Sequence, residues 1–131
     1  MELERGRLID HLQLRFRDLE ASKRFYKAAC EVLGVPLVEG EGHFFFDELW
    51  IDVGETTSRV HFAFQAKDRA MVDRFHKAVL AAGGRDNGAP GERKYHPGYY
   101  AAFALDPDGN NIEAVYHGPH ERSADSVKIS F

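Results

Sequence analysis

Residues 11–34 read HLQLRFRDLEASKRFYKAACEVLG, and residues 61–84 read HFAFQAKDRAMVDRFHKAVLAAGG. Overlaid at an offset of fifty, they share His11 with His61, Asp18 with Asp68, and Arg24-Phe25 with Arg74-Phe75. Lys27-Ala28 returns as Lys77-Ala78, and Gly34 as Gly84. Seven identities held in one register mark a single supersecondary unit used twice. Doubling puts the two histidines in equivalent, symmetry-related positions, where together they could hold a metal ion.

Each copy opens on a strand. Leu8, Leu12, Leu14 and Phe16 alternate with Ile9, His11, Gln13 and Arg15, and Val60, Phe62, Phe64 and Ala66 alternate with His61, Ala63 and Gln65. That period of two belongs to a strand with one face in a core, so both histidines lie opposite the main apolar row. Asp18 and Asp68 then read as helix N-caps. Apolar residues at helical spacing follow, up to Gly34 with Pro36 beyond it in the first copy and to Gly83-Gly84 in the second. Short apolar runs at 35–38, 43–46 and 49–53 complete the first copy. The second continues through a Gly- and Pro-rich stretch, 83–98, read as a long loop, to Tyr99–Leu105 and 111–117 around Asp106-Pro107-Asp108-Gly109-Asn110, a hairpin signal.

The expected fold is therefore α+β: two βαβββ repeats forming a curved mixed sheet, a pair of half-barrels with the helices outside and a cavity inside. One domain spans 1–131, with repeat one about 8–54, repeat two about 58–117, and a tail, 118–131, that reads equally as an edge strand or as unstructured chain. The composition, 44% hydrophobic and 29% charged, is that of an ordinary globular domain. A net charge of −4 gives no general attraction to nucleic acid or anionic membranes. No apolar run approaches membrane-spanning length, the first residues lack a signal-peptide pattern, and a single cysteine, Cys30, excludes an internal disulfide and suits a reducing cytoplasm.

On the last strand Glu113, Val115 and His117 share one face. Aligning Ile51-Asp52-Val53 with Ile112-Glu113-Ala114 makes Asp52 the counterpart of Glu113, and Trp50 and Asp52 then face the same cavity as His11. The expected constellation is a cavity lined by His11, His61 and Glu113, with Asp52 as a further candidate. Two imidazoles and a carboxylate with open positions suit a divalent ion, Fe, Mn, Ni, Co or Zn, that polarises a substrate oxygen.

The order of histidine-bearing strand and helix, twice, followed by Asp106-Pro107-Asp108-Gly109-Asn110-Asn111-Ile112-Glu113, resembles the vicinal oxygen chelate superfamily of glyoxalase I, fosfomycin-resistance enzymes, extradiol dioxygenases and bleomycin-resistance proteins. The resemblance runs from about Leu8 to His117 and is sharpest over 96–103 and 106–115. It implies metal positions at His11, His61 and Glu113. Resemblance to glyoxalase I would add a glutamate from the strand of Asp52; aspartate is one methylene shorter, so a three-ligand site fits better.

His96 and Tyr99, after the long stretch, are candidate proton-transfer groups. Gln13, Arg15, Trp50, Asp52 and Tyr100 are candidate cavity residues, Arg15 for an anionic substrate group. Two functions follow from the resemblance. One is a metal-dependent lyase, isomerase or dioxygenase that stabilises an enolate or oxyanion on a small oxygen-bearing substrate. The other is a metal-free module that sequesters a small molecule, as in bleomycin-resistance relatives, favoured by Trp50 and the aromatic pair Tyr99-Tyr100. The resemblance also implies a homodimer; nucleic acid and membrane are not expected partners.

Overall fold

Asp18 and Asp68 do at the start of each helix what their position demands: their carboxylates accept the backbone N–H of Ala21 at 3.1 Å and of Met71 at 2.7 Å. The computed structural model describes residues 2–5, 9–122 and 127–130. In chain order the elements are β1 (Glu2–Arg5), β2 (Leu12–Phe16), α1 (Leu19–Leu33), β3 (Leu37–Gly40), β4 (His43–Phe46) and β5 (Leu49–Val53). They continue as β6 (His61–Gln65), α2 (Arg69–Ala81), β7 (Arg85–Glu92), β8 (Tyr100–Leu105), β9 (Asn111–Tyr116) and β10 (Val127–Ser130). The first helix ends on Gly34, whose φ of +74° is the left-handed conformation that glycine adopts without a Cβ penalty.

The repeat is borne out strand for strand. The first sheet has the order β2-β5-β4-β3 and the second β6-β9-β8-β7, each with one parallel pair at its β2 or β6 end and antiparallel pairs beyond. Within one chain these are two separate four-stranded sheets, not closed into a barrel, and β2 and β6 are edge strands. The stretch expected to be a long loop holds a strand. β7 escaped notice because it is an edge strand with mostly exposed side chains, and its ladder slips at Gly88 and Gly91, so no apolar alternation survives. Pro90 is tolerated there because an edge strand can spare an N–H. Of the tail, β10 pairs antiparallel with β1, while Leu8, expected to begin the first strand, lies outside the described residues.

Leu14, Phe16, Phe44, Phe46 and Ile51 from the first sheet and Ala102, Ala104, Ile112 and Ala114 from the second form one buried cluster with Phe25, Tyr26, Val72, Phe75 and Val79 of the helices. The helices pack against each other, and Tyr26 is the hub. Its ring lies 4.9 Å from Phe25, 5.6 Å from Phe46 and 6.3 Å from Phe62, so one aromatic group of the first half touches the second. Cys30 is buried here, and desolvation pushes its thiol up to about 12, which keeps it protonated and inert.

The turn 106–110 does more than close a hairpin. Asp106 is 1% exposed and accepts from Tyr26 Oη at 2.6 Å, from the backbone N–H groups of Asp108 and Asn110, and from Asn110 Nδ2. Asp108 accepts the N–H of Arg17 at 2.9 Å, and Asn110 Oδ1 accepts that of Val60 at 2.9 Å. This second-half turn thus fastens the end of β2, the helix α1 and the residue that leads into His61. No helix among the described residues is long and apolar enough to cross a membrane.

Candidate functional site

The ladder of the second sheet sets one row of side chains on its open face. Ala63 pairs with Glu113, Glu113 with Phe103, and Phe103 with Gly88. Cross-strand partners point to the same side, so these four share the face opposite α2, together with His61. Phe62, Phe64, Ile112 and Ala114 take the helix side, as alternation requires.

Glu113 is 3% exposed, and a buried carboxylate is costly without partners. It has two. Tyr99 Oη donates to Glu113 Oε2, and His61 Nε2 stands 3.2 Å from Glu113 Oε1. The Tyr99 phenol is pushed well above its ordinary value, by desolvation first and then by its bond to Glu113, so it holds its proton and acts as a donor. His61 Nδ1 lies 2.8 Å from the Asn111 carbonyl. A carbonyl only accepts, so Nδ1 carries a hydrogen; Nε2 then meets Glu113 either as a second donor of the protonated ring or, in the neutral ring, as a lone pair that pairs with the carboxylate only through a shared cation. Two donor atoms sharing one ion at bonds of about 2.1 Å would stand roughly 3.0–3.4 Å apart at octahedral or tetrahedral angles. The His61–Glu113 separation falls in that range.

His11 does not join them within the chain. It precedes β2 on the first sheet, is exposed, and its Nδ1 lies 2.7 Å from Asp10 Oδ1. Among the described residues no group of three or more His, Cys, Asp or Glu side chains is placed to hold an ion. The face of the first sheet that corresponds to that of Glu113 carries Gln13, Arg15, Trp50 and Asp52. Gln13 Nε2 donates to Asp52 Oδ2 at 2.7 Å, and Arg15 Nε lies 3.6 Å from Asp52 Oδ1. Arg15 thus stands beside a carboxylate at ion-pair rather than hydrogen-bond distance, with its side chain still half exposed.

The ladders also correct the alignment of the two halves. Gln13 pairs with Trp50, whereas Ala63, its equivalent fifty residues on, pairs with Glu113. Trp50 thus occupies the register position of Glu113, and Asp52 that of Val115. Matching on Ile51 and Ile112 shifted the register by two residues, which preserves the face and hides the slip. His43 and Phe45 both stack on Trp50, at 4.0 Å and 5.6 Å respectively, so this half of the site presents an aromatic platform.

Tyr100 belongs to the other side of its sheet. Its hydroxyl donates to Asp73 Oδ1 of α2 at 2.7 Å, and Arg69 lies over its ring at 4.6 Å, so it is a helix contact rather than a cavity residue. His96 is tied to a residue that sequence reasoning passed over. Its Nδ1 donates to the Pro97 carbonyl at 2.8 Å, and its Nε2 lies 2.8 Å from His117 Nδ1. In the neutral pair His117 is then the donor. Both rings meet Tyr99 edge-on, each at 5.3 Å, so His96 and His117 buttress the phenol that holds Glu113. His117 shares the strand face of Glu113, and that parity was the signal for it. Phe103 could have been placed by counting back across the 106–110 turn.

The family model of the Glyoxalase/Bleomycin resistance protein/Dioxygenase superfamily matches residues 8–114. Among solved structures, a glyoxalase/bleomycin resistance protein from Albidiferax ferrireducens T118 is similar at 29% identity, over 83% of this chain and 98% of its own, with a TM-score of 0.72. A glyoxalase-related enzyme from Fulvimarina pelagi has 21% identity over 93% and 98% of the two chains, with a TM-score of 0.69. A lactoylglutathione lyase from Agrobacterium tumefaciens has 22% identity over 85% and 94%, with a TM-score of 0.61. No curated protein matches the chain.

Proposed function

Because the chain belongs to the glyoxalase/bleomycin resistance/dioxygenase superfamily, we propose that it is a divalent-metal-dependent enzyme acting on a small oxygen-bearing substrate, with its site completed between two copies. His61 and Glu113 of one chain would hold the ion, and His11 would come from the first sheet of a second copy. The observation that carries this reading is the His61–Glu113 pair: an imidazole whose Nδ1 is taken by the Asn111 carbonyl, leaving Nε2 3.2 Å from a buried carboxylate oxygen. The edge positions of β2 and β6 support the dimer, since an open edge beside each histidine is where a second copy's matching sheet can dock.

A bound divalent ion supplies a Lewis acid that polarises substrate oxygens and stabilises an enolate or oxyanion. This chain's own residues supply the frame. Tyr99 fixes Glu113 Oε2 with a proton it does not release at neutral pH, leaving Oε1 toward His61. Asn111 fixes the imidazole tautomer, and Asn110 anchors the strand entry at Val60. His96, held by His117, is the candidate to move a proton at its Nε2 once a substrate displaces that neighbour. Lyase, isomerase and dioxygenase chemistry all begin from such a frame.

The test is metal analysis of protein purified without chelator, set beside His61→Ala. Stoichiometric metal that is lost in the variant supports the enzyme. The aromatic platform of His43, Trp50 and Phe45 favours the second reading, a metal-free binding module, which an ion-free protein that still takes up apolar ligands would establish.

A further inference from the structure

β7 is the plainest strand in sequence, yet its two glycines make room for a side chain. A Cβ built on Gly88 would lie 3.2 Å from Arg93 Nη2, and one on Gly91 would lie 3.1 Å from Arg93 Nη1. The guanidinium therefore folds back along the bare backbone of β7, on the face that carries Glu113. It is held there by the Ala89 carbonyl, which accepts from Nη2 at 2.8 Å, and by the Glu92 carbonyl at 3.4 Å. Its carbon sits 5.4 Å from the centre of the Phe103 ring, and the same ring lies 6.1 Å from that of His61.

Arg93 is not spent on a carboxylate. Among the described residues its neighbour Glu92 is bound instead by Arg69 at 2.6 Å, and the contacts of Arg93 are to carbonyls and a ring. A guanidinium has five N–H donors, of which two are used, so a fork of donors remains for a ligand. Arg15, the arginine first expected to hold an anion, already has the Asp52 carboxylate 3.6 Å away, whereas Arg93 forms no ion pair among the described residues.

We propose that Arg93 is a binding and specificity-determining residue that selects substrates bearing a carboxylate, phosphonate or phosphate one aromatic ring away from the atoms that face His61 and Glu113. The anionic group would take the open edge of the guanidinium, and an apolar or planar body would lie on Phe103. The proposal rests on reading the face of Glu113 as the substrate site, but it needs no metal. Gly88 and Gly91 are part of it, since larger residues would fill the groove in which the guanidinium lies.

The experiment is calorimetric titration of the full chain with benzoate, with phenylphosphonate, and with benzyl alcohol as the neutral control. Wild type is expected to prefer the anions over the alcohol. Arg93→Gln should weaken them at least tenfold with an unchanged melting temperature, and Arg93→Lys should fall between, because lysine lacks the fork. The stronger of the two anions names the oxyanion class. Equal affinity of wild type and Arg93→Gln for both anions, or wild type that binds neither, overturns the proposal. Metal content, read on the same samples, separates the two ideas: anion binding that needs Arg93 in metal-free protein sustains this inference while removing the metal-dependent one.

Discussion

Tyr26, in the first half's helix, donates its phenolic hydrogen to Asp106 in the second half at 2.6 Å, and both side chains are almost wholly buried. Eighty residues of sequence separate the partners, and the bond crosses between the repeats. Tyr26→Phe keeps the ring packing and removes only this link. Asp106 retains three donors from its own turn, so the expected loss is about 1–3 kcal/mol, without collapse. Urea unfolding monitored by circular dichroism checks it, and an unchanged midpoint would show that the bond carries no net stability.

The same phenol governs alkaline behaviour. Desolvation first, then the charge and hydrogen bond of Asp106, raise Tyr26 well above its ordinary value. Below about pH 10 both folded and unfolded chains keep the proton, and stability is undiminished. As pH rises from there toward the folded value, the unfolded chain ionises first, and stability falls. Tyr26→Phe should flatten this decline, leaving the share of Tyr99, which is raised in the same sense. Urea midpoints at about pH 9 and about pH 11 give the measurement.

If the site is shared between copies, His11→Ala and His61→Ala should each lose metal as pure proteins yet complement one another. A mixed dimer joins the intact His61–Glu113 pair of one chain to the intact His11 of the other and regains one of its two sites. Metal analysis of doubly tagged mixed dimers reads this directly. Recovery of none would place all ligands within one chain or remove His11 from the set.

Tyr99→Phe keeps its ring contacts with His96 and His117 and should still fold, at a cost of about 1–3 kcal/mol for the buried carboxylate left without its donor. Glu113 Oε2 then loses its donor. Partners of this kind are worth 10–100-fold in metal affinity or activity, and a drop of about that size in metal affinity is expected. Competition with a chelator measures it, and unaltered affinity would show that the phenol does not orient the carboxylate.

Much of this was legible in the chain, for definable reasons. Alternation placed Leu14 and Phe16 inward and His61 outward, and the two aspartate caps announced helices that begin where expected. What escaped detection was whatever lacked apolar periodicity or depended on register. β7 has glycine and proline where a strand usually has branched side chains. The exchange of Trp50 for Asp52 as the partner position of Glu113 keeps the face and moves two residues along it, so parity alone could not expose it. The position of Arg93 was not legible because the room it occupies comes from what Gly88 and Gly91 lack. The two sheets stay apart within one chain, and sequence symmetry by itself does not say whether matched halves meet in the same molecule or in another.

The 106–110 turn has no equal in the first half, where Asp47-Glu48 is the only link between β4 and β5. A tandem duplication would ordinarily leave each copy able to melt by itself, as in solenoid proteins. Here Arg17 and Tyr26 of the first copy hang on the second copy's hairpin, so the lower-melting half cannot open without stripping donors from Asp106 and Asp108. Heating should therefore give one calorimetric transition, with van't Hoff and calorimetric enthalpies in agreement, and the duplicated unit has become a single cooperative body.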